Sequence, residues 1–151
     1  IRVNTAQQMY DEVHKHYDSV DVGIAAAAVS DYRPKVVADQ KIKKAGEEMT
    51  IVLEKSPDIL LSMGQQKNNQ LLVGFALETE NEIANAKKKL EKKNLDFIVL
   101  NSLNDKGAGF KKDTNKITII DKAHNAKSFD LKSKAEVAKD IINEVIAKLN
   151  A

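Results

Sequence analysis

Asp31 stands in Ser30-Asp31-Tyr32-Arg33-Pro34, directly after the apolar run Val22 to Val29. If that run is a strand, Asp31 leaves its carboxyl end, where open α/β sheets collect their ligands. A carboxylate there suits a cation or a ligand hydroxyl, although a turn or capping aspartate is the plainer reading. Ala25, Ala26, Ala27 and Ala28 project almost nothing beyond the backbone, so a flat ring could approach them. They would serve tight helix–sheet packing equally well. Lys41-Ile42-Lys43-Lys44 puts three ammonium groups within four residues. A triphosphate needs mobile charges of that kind, but charge runs are more often simply solvated.

Further along, Ser56-Pro57-Asp58 reads as a helix start, with serine as the cap and proline in the first turn. The turn Pro57, Asp58, Ile59 and Leu60 would favour an anion through the free N–H groups of its non-proline residues, as any helix start does. Lys89 and Lys93 lie four residues apart and share a helix face, flanking the stripe of Ile83, Ala86 and Leu90. They read either as a solvated edge or as two donors facing a bound base. His14 and His16, two apart on a helix, diverge and cannot form the four-residue metal pair, and His124 stands alone in a polar loop. No serine–histidine or paired-carboxylate arrangement, glycine-rich dinucleotide fingerprint or P-loop is present in the sequence.

The elements that must position these groups follow from capping and periodicity. Thr5 with Gln8 forms a capping box for a helix whose apolar face is Ala6, Met9, Tyr10, Val13 and Tyr17. Val22 to Val29 reads as a buried strand, residues 30 to 48 as a loop, and Met49 to Leu53 as a short strand. The helix opened at Ser56 should run to about Lys67. Leu71 to Leu77 reads as a strand, Glu80 to Lys93 as a helix and Phe97 to Leu100 as a strand. Gly107-Ala108-Gly109 makes a flexible loop and Ile117 to Ile120 a later strand. Ser133 with Glu136 opens a last helix, with Val137, Ala138, Ile141, Val145, Ile146 and Leu149 inward. Strands alternating with helices imply parallel βαβ units and a three-layer α/β fold with a mainly parallel sheet.

Composition bounds the function classes. A chain of 151 residues, 42% hydrophobic and 30% charged, can bury one substantial core as a single domain, residues 1–151. A net charge of +2 gives no reason to expect a nucleic-acid or membrane partner. Arg2 and Arg33 are its only arginines, and lysine lacks the planar fork that reads phosphodiesters and guanine edges. With no cysteine, disulfides and thiolate metal sites are excluded. No apolar run approaches the roughly 20 residues that span a bilayer, and no signal peptide is visible. Ile1-Arg2-Val3 reads like the end of a strand, so an upstream first strand is expected.

Taken in order, Ala28-Val29-Ser30-Asp31-Tyr32-Arg33-Pro34, Lys41-Ile42-Lys43-Lys44, Ser56-Pro57-Asp58-Ile59-Leu60, Val73-Gly74-Phe75-Ala76-Leu77-Glu78-Thr79 and Lys93-Asn94-Leu95-Asp96 resemble phosphopantothenate–cysteine ligase. The resemblance spans nearly the whole chain. It implies a cytoplasmic, homodimeric, Rossmann-like enzyme of coenzyme A biosynthesis that uses CTP and Mg2+. The carboxylate of 4′-phosphopantothenate would attack the α-phosphate of CTP, and L-cysteine would then displace CMP from the acyl-cytidylate. In many bacteria this domain is fused behind a decarboxylase, and FMN is expected only if such a domain lies upstream.

By that resemblance Ala25, Ala26, Ala27 and Asp31 line the nucleotide site, with Asp31 near the metal or triphosphate. Lys41 and Ala28 belong to the catalytic set, and Lys41 supports charge developing on the α-phosphate. Pro57, Asp58, Ile59 and Leu60 offer a helix terminus, Phe75 packs beside the nucleotide, and Lys89 and Lys93 contact CTP, at its base. Lysine donors suit the acceptors of cytosine, whereas adenine presents a donor amine. The family's glycine-rich segment and first strand are not in this sequence, so the chain by itself is expected to be inactive. Two other classes compete: a dinucleotide-binding oxidoreductase domain, and a non-catalytic module that only dimerises.

Overall fold

The computed structural model describes residues 1–44, 46–102 and 113–150. Helix α1 (Ala6–Tyr17) leads to strand β1 (Val22–Ala25), then to β2 (Tyr32–Pro34) and β3 (Leu53–Lys55). Helix α2 (Ile59–Gln66), β4 (Leu71–Glu78), α3 (Glu82–Lys92) and β5 (Phe97–Ser102) follow. Short β6 (Thr114–Asn115), β7 (Ile117–Asp121), β8 (Ala126–Ser128) and β9 (Lys132–Ser133) precede the last helix, α4 (Lys134–Leu149). Both capping boxes read from the sequence are formed, at Thr5 with Gln8 and at Ser133 with Glu136. No helix among the described residues is long and apolar enough to cross a membrane.

The main sheet has the order β1-β4-β5-β7-β8. Strands β1, β4 and β5 run parallel, and β7 and β8 are added antiparallel. Alternation along β4 and β5 divides the core. Leu72, Ala76, Ile98 and Leu100 join Tyr17, Met63, Ala86 and Leu90 beneath α1, α2 and α3. Leu71, Val73, Phe97 and Val99 meet Val137, Ile141 and Val145 of α4 on the other face. The α/β three-layer fold is therefore present as expected, with β4 and β5 buried on both faces.

An ionic clasp fixes the amino ends of β4 and β5. Asp96 Oδ2 accepts from the Leu72 amide at 2.6 Å and from Lys67 Nζ at 2.8 Å. Lys122 Nζ lies 3.0 Å from Oδ1. Burial pushes the Asp96 carboxyl up, but these donors outweigh it and hold it below the usual carboxylate range. Burial likewise pushes the Lys67 ammonium down, against the opposing pull of Asp96.

Several local expectations are corrected. The run Val22 to Val29 is a strand only as far as Ala25, and Gly23 is its one buried residue. Among the described residues strand β1 pairs with β4 alone, and its ladder ends where Ala25 meets Gly74. Beyond that point alanine side chains have too little surface to hold the chain down, and Ala26, Ala27 and Ala28 are exposed. The expected loop 30 to 48 contains β2, and its partner β3 lies at 53–55 rather than 49–53, set by pairing of Arg33 with Glu54.

Helix α2 is capped by Asp58, whose carboxylate accepts from the Leu61 amide at 3.1 Å, and not by Ser56. The Ser56 amide instead donates to Asp31 O at 2.9 Å, which ties it to the β2–β3 arm. On α4, Ala138, Ile146 and Leu149 are exposed, because only Val137, Ile141 and Val145 reach the sheet. The Gly107-Ala108-Gly109 loop lies outside the described residues.

Candidate nucleotide site

Where β1 leaves the sheet, residues 26–31 turn outward and meet the start of α2. Gly74 on β4 lets that helix come close, since a Cβ there would sit 2.9 Å from Leu60 Cδ2 and 2.7 Å from Leu95 Cδ1. Gly64, further along α2, allows a still closer approach: its Cβ would lie 1.9 Å from Lys93 O. Asn94, with φ of 50°, reverses the chain there and donates to Gly64 O at 3.0 Å. The end of α3 is thereby locked against α2, and Lys93 Nζ reaches the α2 cap, 3.0 Å from Asp58 Oδ1.

The result is a cleft of about 170 Å³ between α1, the end of β1 and the start of α2. Ala25, Ala27, Asp31, Pro57, Asp58, Ile59, Leu60, Phe75 and Lys93, nine of the residues singled out from the sequence, line it. A second hollow of about 350 Å³ is lined by Ala26, Ala27, Ala28, Phe75, Asn101 and Lys134 among others. Ala27 and Phe75 border both hollows, so Phe75 stands between them. A larger hollow of about 730 Å³, between the start of α3 and β7, contains none of the residues singled out.

The charged lining of the cleft is one lysine, Lys93, against two carboxylates, Asp31 and Asp58. Burial pushes the Asp58 carboxyl up, but hydrogen bonds from Lys93 and the Leu61 amide and the charges of Lys93 and Lys92 hold it below the usual range. Asp31 is exposed at the rim. Among the described residues no group of three histidine, cysteine, aspartate or glutamate side chains could hold a metal by itself.

Two expected residues are placed elsewhere. Lys89 pairs with Glu78 Oε1 at 2.6 Å, at the end of β4, and does not line the cleft. Lys41 lies exposed on the β2–β3 arm, also away from the cleft. Met9, Val29, Ser30 and Ser56 line the cleft without having been singled out as ligand contacts. Ser56 carried a signal that was read as a cap. Val29 and Ser30 stood in the motif around Asp31, while Met9 carried no signal, because nothing in a sequence shows that α1 borders the end of β1.

His14 helps join α1 to α2: its Nε2 lies 2.7 Å from Ser62 Oγ, which also donates to Tyr10 Oη at 3.2 Å.

Comparison with known proteins fits this architecture. Residues 1–149 match the model of the DNA/pantothenate metabolism flavoprotein C-terminal domain. The chain is 43% identical over 147 residues to the coenzyme A biosynthesis bifunctional protein CoaBC of Bacillus subtilis (strain 168), covering 97% of this chain and 36% of that protein. It is 51% identical over 147 residues to a protein of an unknown prokaryotic organism named cysteine/cysteine sulfinic acid decarboxylase, covering 97% of this chain and 41% of that one. It thus spans about two fifths of the length of these relatives. The crystal structure of the C-terminal domain of a CoaBC protein superposes with a TM-score of 0.80 at 37% identity, covering 99% of this chain and 65% of that one. With the family model matching residues 1–149, this chain belongs to the family of DNA/pantothenate metabolism flavoprotein C-terminal domains.

Proposed function

We propose that the protein containing this chain is a CTP-dependent ligase that joins 4′-phosphopantothenate to L-cysteine in coenzyme A biosynthesis. The observation that carries the reading is the cleft itself, where the start of α2, Lys93, Asp31 and Phe75 converge at the carboxyl end of a parallel strand. Its support is membership of a family whose relatives include coenzyme A biosynthesis proteins.

In this reading the first turn of α2 and Lys93 hold the nucleotide, and Phe75 and the alanine backbone flank its flat parts. The phosphopantothenate carboxylate attacks the α-phosphate, pyrophosphate leaves, and an acyl-cytidylate forms. The cysteine amine then attacks the acyl carbon, CMP leaves, and the amide remains after loss of the amine proton. Asp31 fits Mg2+ as the single protein carboxylate that this ion often takes beside substrate phosphates. A bound Mg2+ would neutralise triphosphate charge there.

Lys41 acts from the β2–β3 arm. That arm carries Val36, Val37, Ile42, Met49, Ile51 and Val52, each more than half exposed. Contiguous apolar surface of this kind marks an interface, and a second copy of the chain is the occupant we assign, giving a homodimer.

The test is product analysis in the protein as the cell makes it. CMP and pyrophosphate should form in equal amounts, in step with the amide. Formation of CDP and phosphate would rule the mechanism out. Protection against heat by NAD(P) and not by CTP would favour a dinucleotide-binding domain instead.

A further inference from the structure

The second hollow, beside the cleft, carries two donors that no described residue uses. Lys134 lines it from the first position of α4, exposed and without an ion pair among the described residues. A cation is disfavoured in the first turn of a helix, so helix stability does not explain its place. Asn101 lines the same hollow near the carboxyl end of β5, in register with Leu77 of β4. Hydrogen bonds fix which way its amide points. The Lys116 amide donates to Asn115 Oδ1 at 3.0 Å, so Asn115 presents its Nδ2, which donates to Asn101 Oδ1 at 3.0 Å. Asn101 Nδ2 is left over as a donor, half-buried with its residue, unpartnered among the described residues and not sealed from solvent.

The lining selects the ligand group. One ammonium and one amide N–H match the two oxygens of a carboxylate, whereas a phosphate dianion brings three and would be left short of donors. Ala27, Phe75 and Leu77 supply apolar surface for a short side chain. Among the described residues no aspartate or glutamate lines the hollow. An amino acid held there by its carboxylate would therefore find no anion for its ammonium, and the Lys134 charge beside it favours the neutral, nucleophilic amine. The place is right as well. Cysteine must attack an acyl group carried on the nucleotide, so its pocket has to adjoin the cleft, and this hollow shares Ala27 and Phe75 with it.

We propose that Lys134 and Asn101 are specificity-determining contacts that hold the carboxylate of the L-cysteine substrate in the second hollow, with its amine turned toward the cleft. This rests on the ligase reading above and assigns a place to its amino-acid substrate. A hydrogen bond to a charged group is worth about a factor of ten or more in binding.

The experiment is steady-state kinetics with L-cysteine and with cysteamine, which lacks the carboxylate, in the protein as the cell makes it. Wild type, Lys134→Ala and Asn101→Asp are compared, and single-turnover release of pyrophosphate without either amine reads the first half of the reaction. Wild type should use L-cysteine with a kcat/KM at least about tenfold above that for cysteamine. Lys134→Ala should bring L-cysteine down toward the cysteamine level through a raised KM. Its pyrophosphate release, cysteamine kinetics and melting temperature should be unchanged. Asn101→Asp keeps the side-chain shape but sets a carboxylate against that of the substrate, so it should impair L-cysteine and spare cysteamine. Equal losses for both amines would overturn the proposal, because the effect would not depend on the carboxylate. A raised KM for 4′-phosphopantothenate with L-cysteine unaffected would overturn it too, by placing that substrate's phosphate on Lys134. A wild type that releases no pyrophosphate overturns the ligase reading itself, and this contact with it.

Discussion

At the scale of single residues, Lys93 and Lys89 look alike in the sequence and differ in place. Lys93 lies in the cleft against Asp58, while Lys89 is held by Glu78 at the end of β4. A charge-assisted hydrogen bond contributes about 1.5–3 kcal/mol, and Lys93 must share its ammonium with Asp58. Lys93→Ala should therefore weaken CTP by about tenfold, and Lys89→Ala by clearly less, in calorimetric titrations. If the lysines read the base, the double substitution will weaken CTP much more than ATP. Parallel losses that fade with salt would mean that they add only positive potential. Lys41 is exposed and packs nothing essential, so Lys41→Gln should leave the melting temperature unchanged. Loss of one preorganised charge donor lowers turnover by about 10²–10³, and near-normal turnover would remove Lys41 from the catalytic set.

At the scale of elements, two contacts hold the cleft's walls. The Asp96 clasp joins β4 to β5 through the Leu72 amide, Lys67 and Lys122. Its carboxyl is depressed in the folded state. Its contribution is therefore present above the unfolded value of about 3.9 and is lost as pH falls through the lower folded value. Asp96→Asn should cost about 2 kcal/mol at pH 7, and the gap between variant and wild type should close in urea unfolding below about pH 4. A constant gap down to pH 2 would show that charge is not what the clasp contributes. The second contact is α2 against the end of α3. Gly64→Ala places a carbon 1.9 Å from Lys93 O, so the helices must part, at about 1–3 kcal/mol. The same shift moves Lys93 away from Asp58, so nucleotide binding should weaken along with stability. Unchanged CTP affinity in this variant would show that the α2–α3 contact does not position Lys93.

At the scale of the whole molecule, the β2–β3 arm is the part that the core does not explain. Its apolar residues are exposed, and it is held by a three-residue ladder and the Arg33–Glu54 pair, 2.9 Å apart. A second copy would cover this surface and bring two Lys41-bearing arms together. Replacing Val37 and Ile51 with aspartate should give a monomer in sedimentation while the core still unfolds cooperatively. A dimer that survives both substitutions would place the interface elsewhere. If the monomer also loses turnover, the arm serves the chemistry as well as the assembly.

Much of this protein follows from its sequence, because periodicity and capping are local. The Thr5 and Ser133 capping boxes, the apolar strands at 71–78 and 97–102 and the helix carrying Lys89 and Lys93 each contain their own signal. Nine of the candidate residues meet in one cleft because the end of β1, the start of α2 and the end of α3 converge there. What tertiary structure decided is pairwise. Asp58 rather than Ser56 caps α2, and Lys93 lies within reach of that same carboxylate. Alanines after Ala25 leave the sheet although β4 runs on to Glu78, because their small side chains hold an edge strand down too weakly. Lys89 turns to Glu78, a residue eleven positions away whose proximity only the β4–α3 packing creates. A sequence states which groups can form a bond, and the choice among several such partners is made by the distances that folding sets.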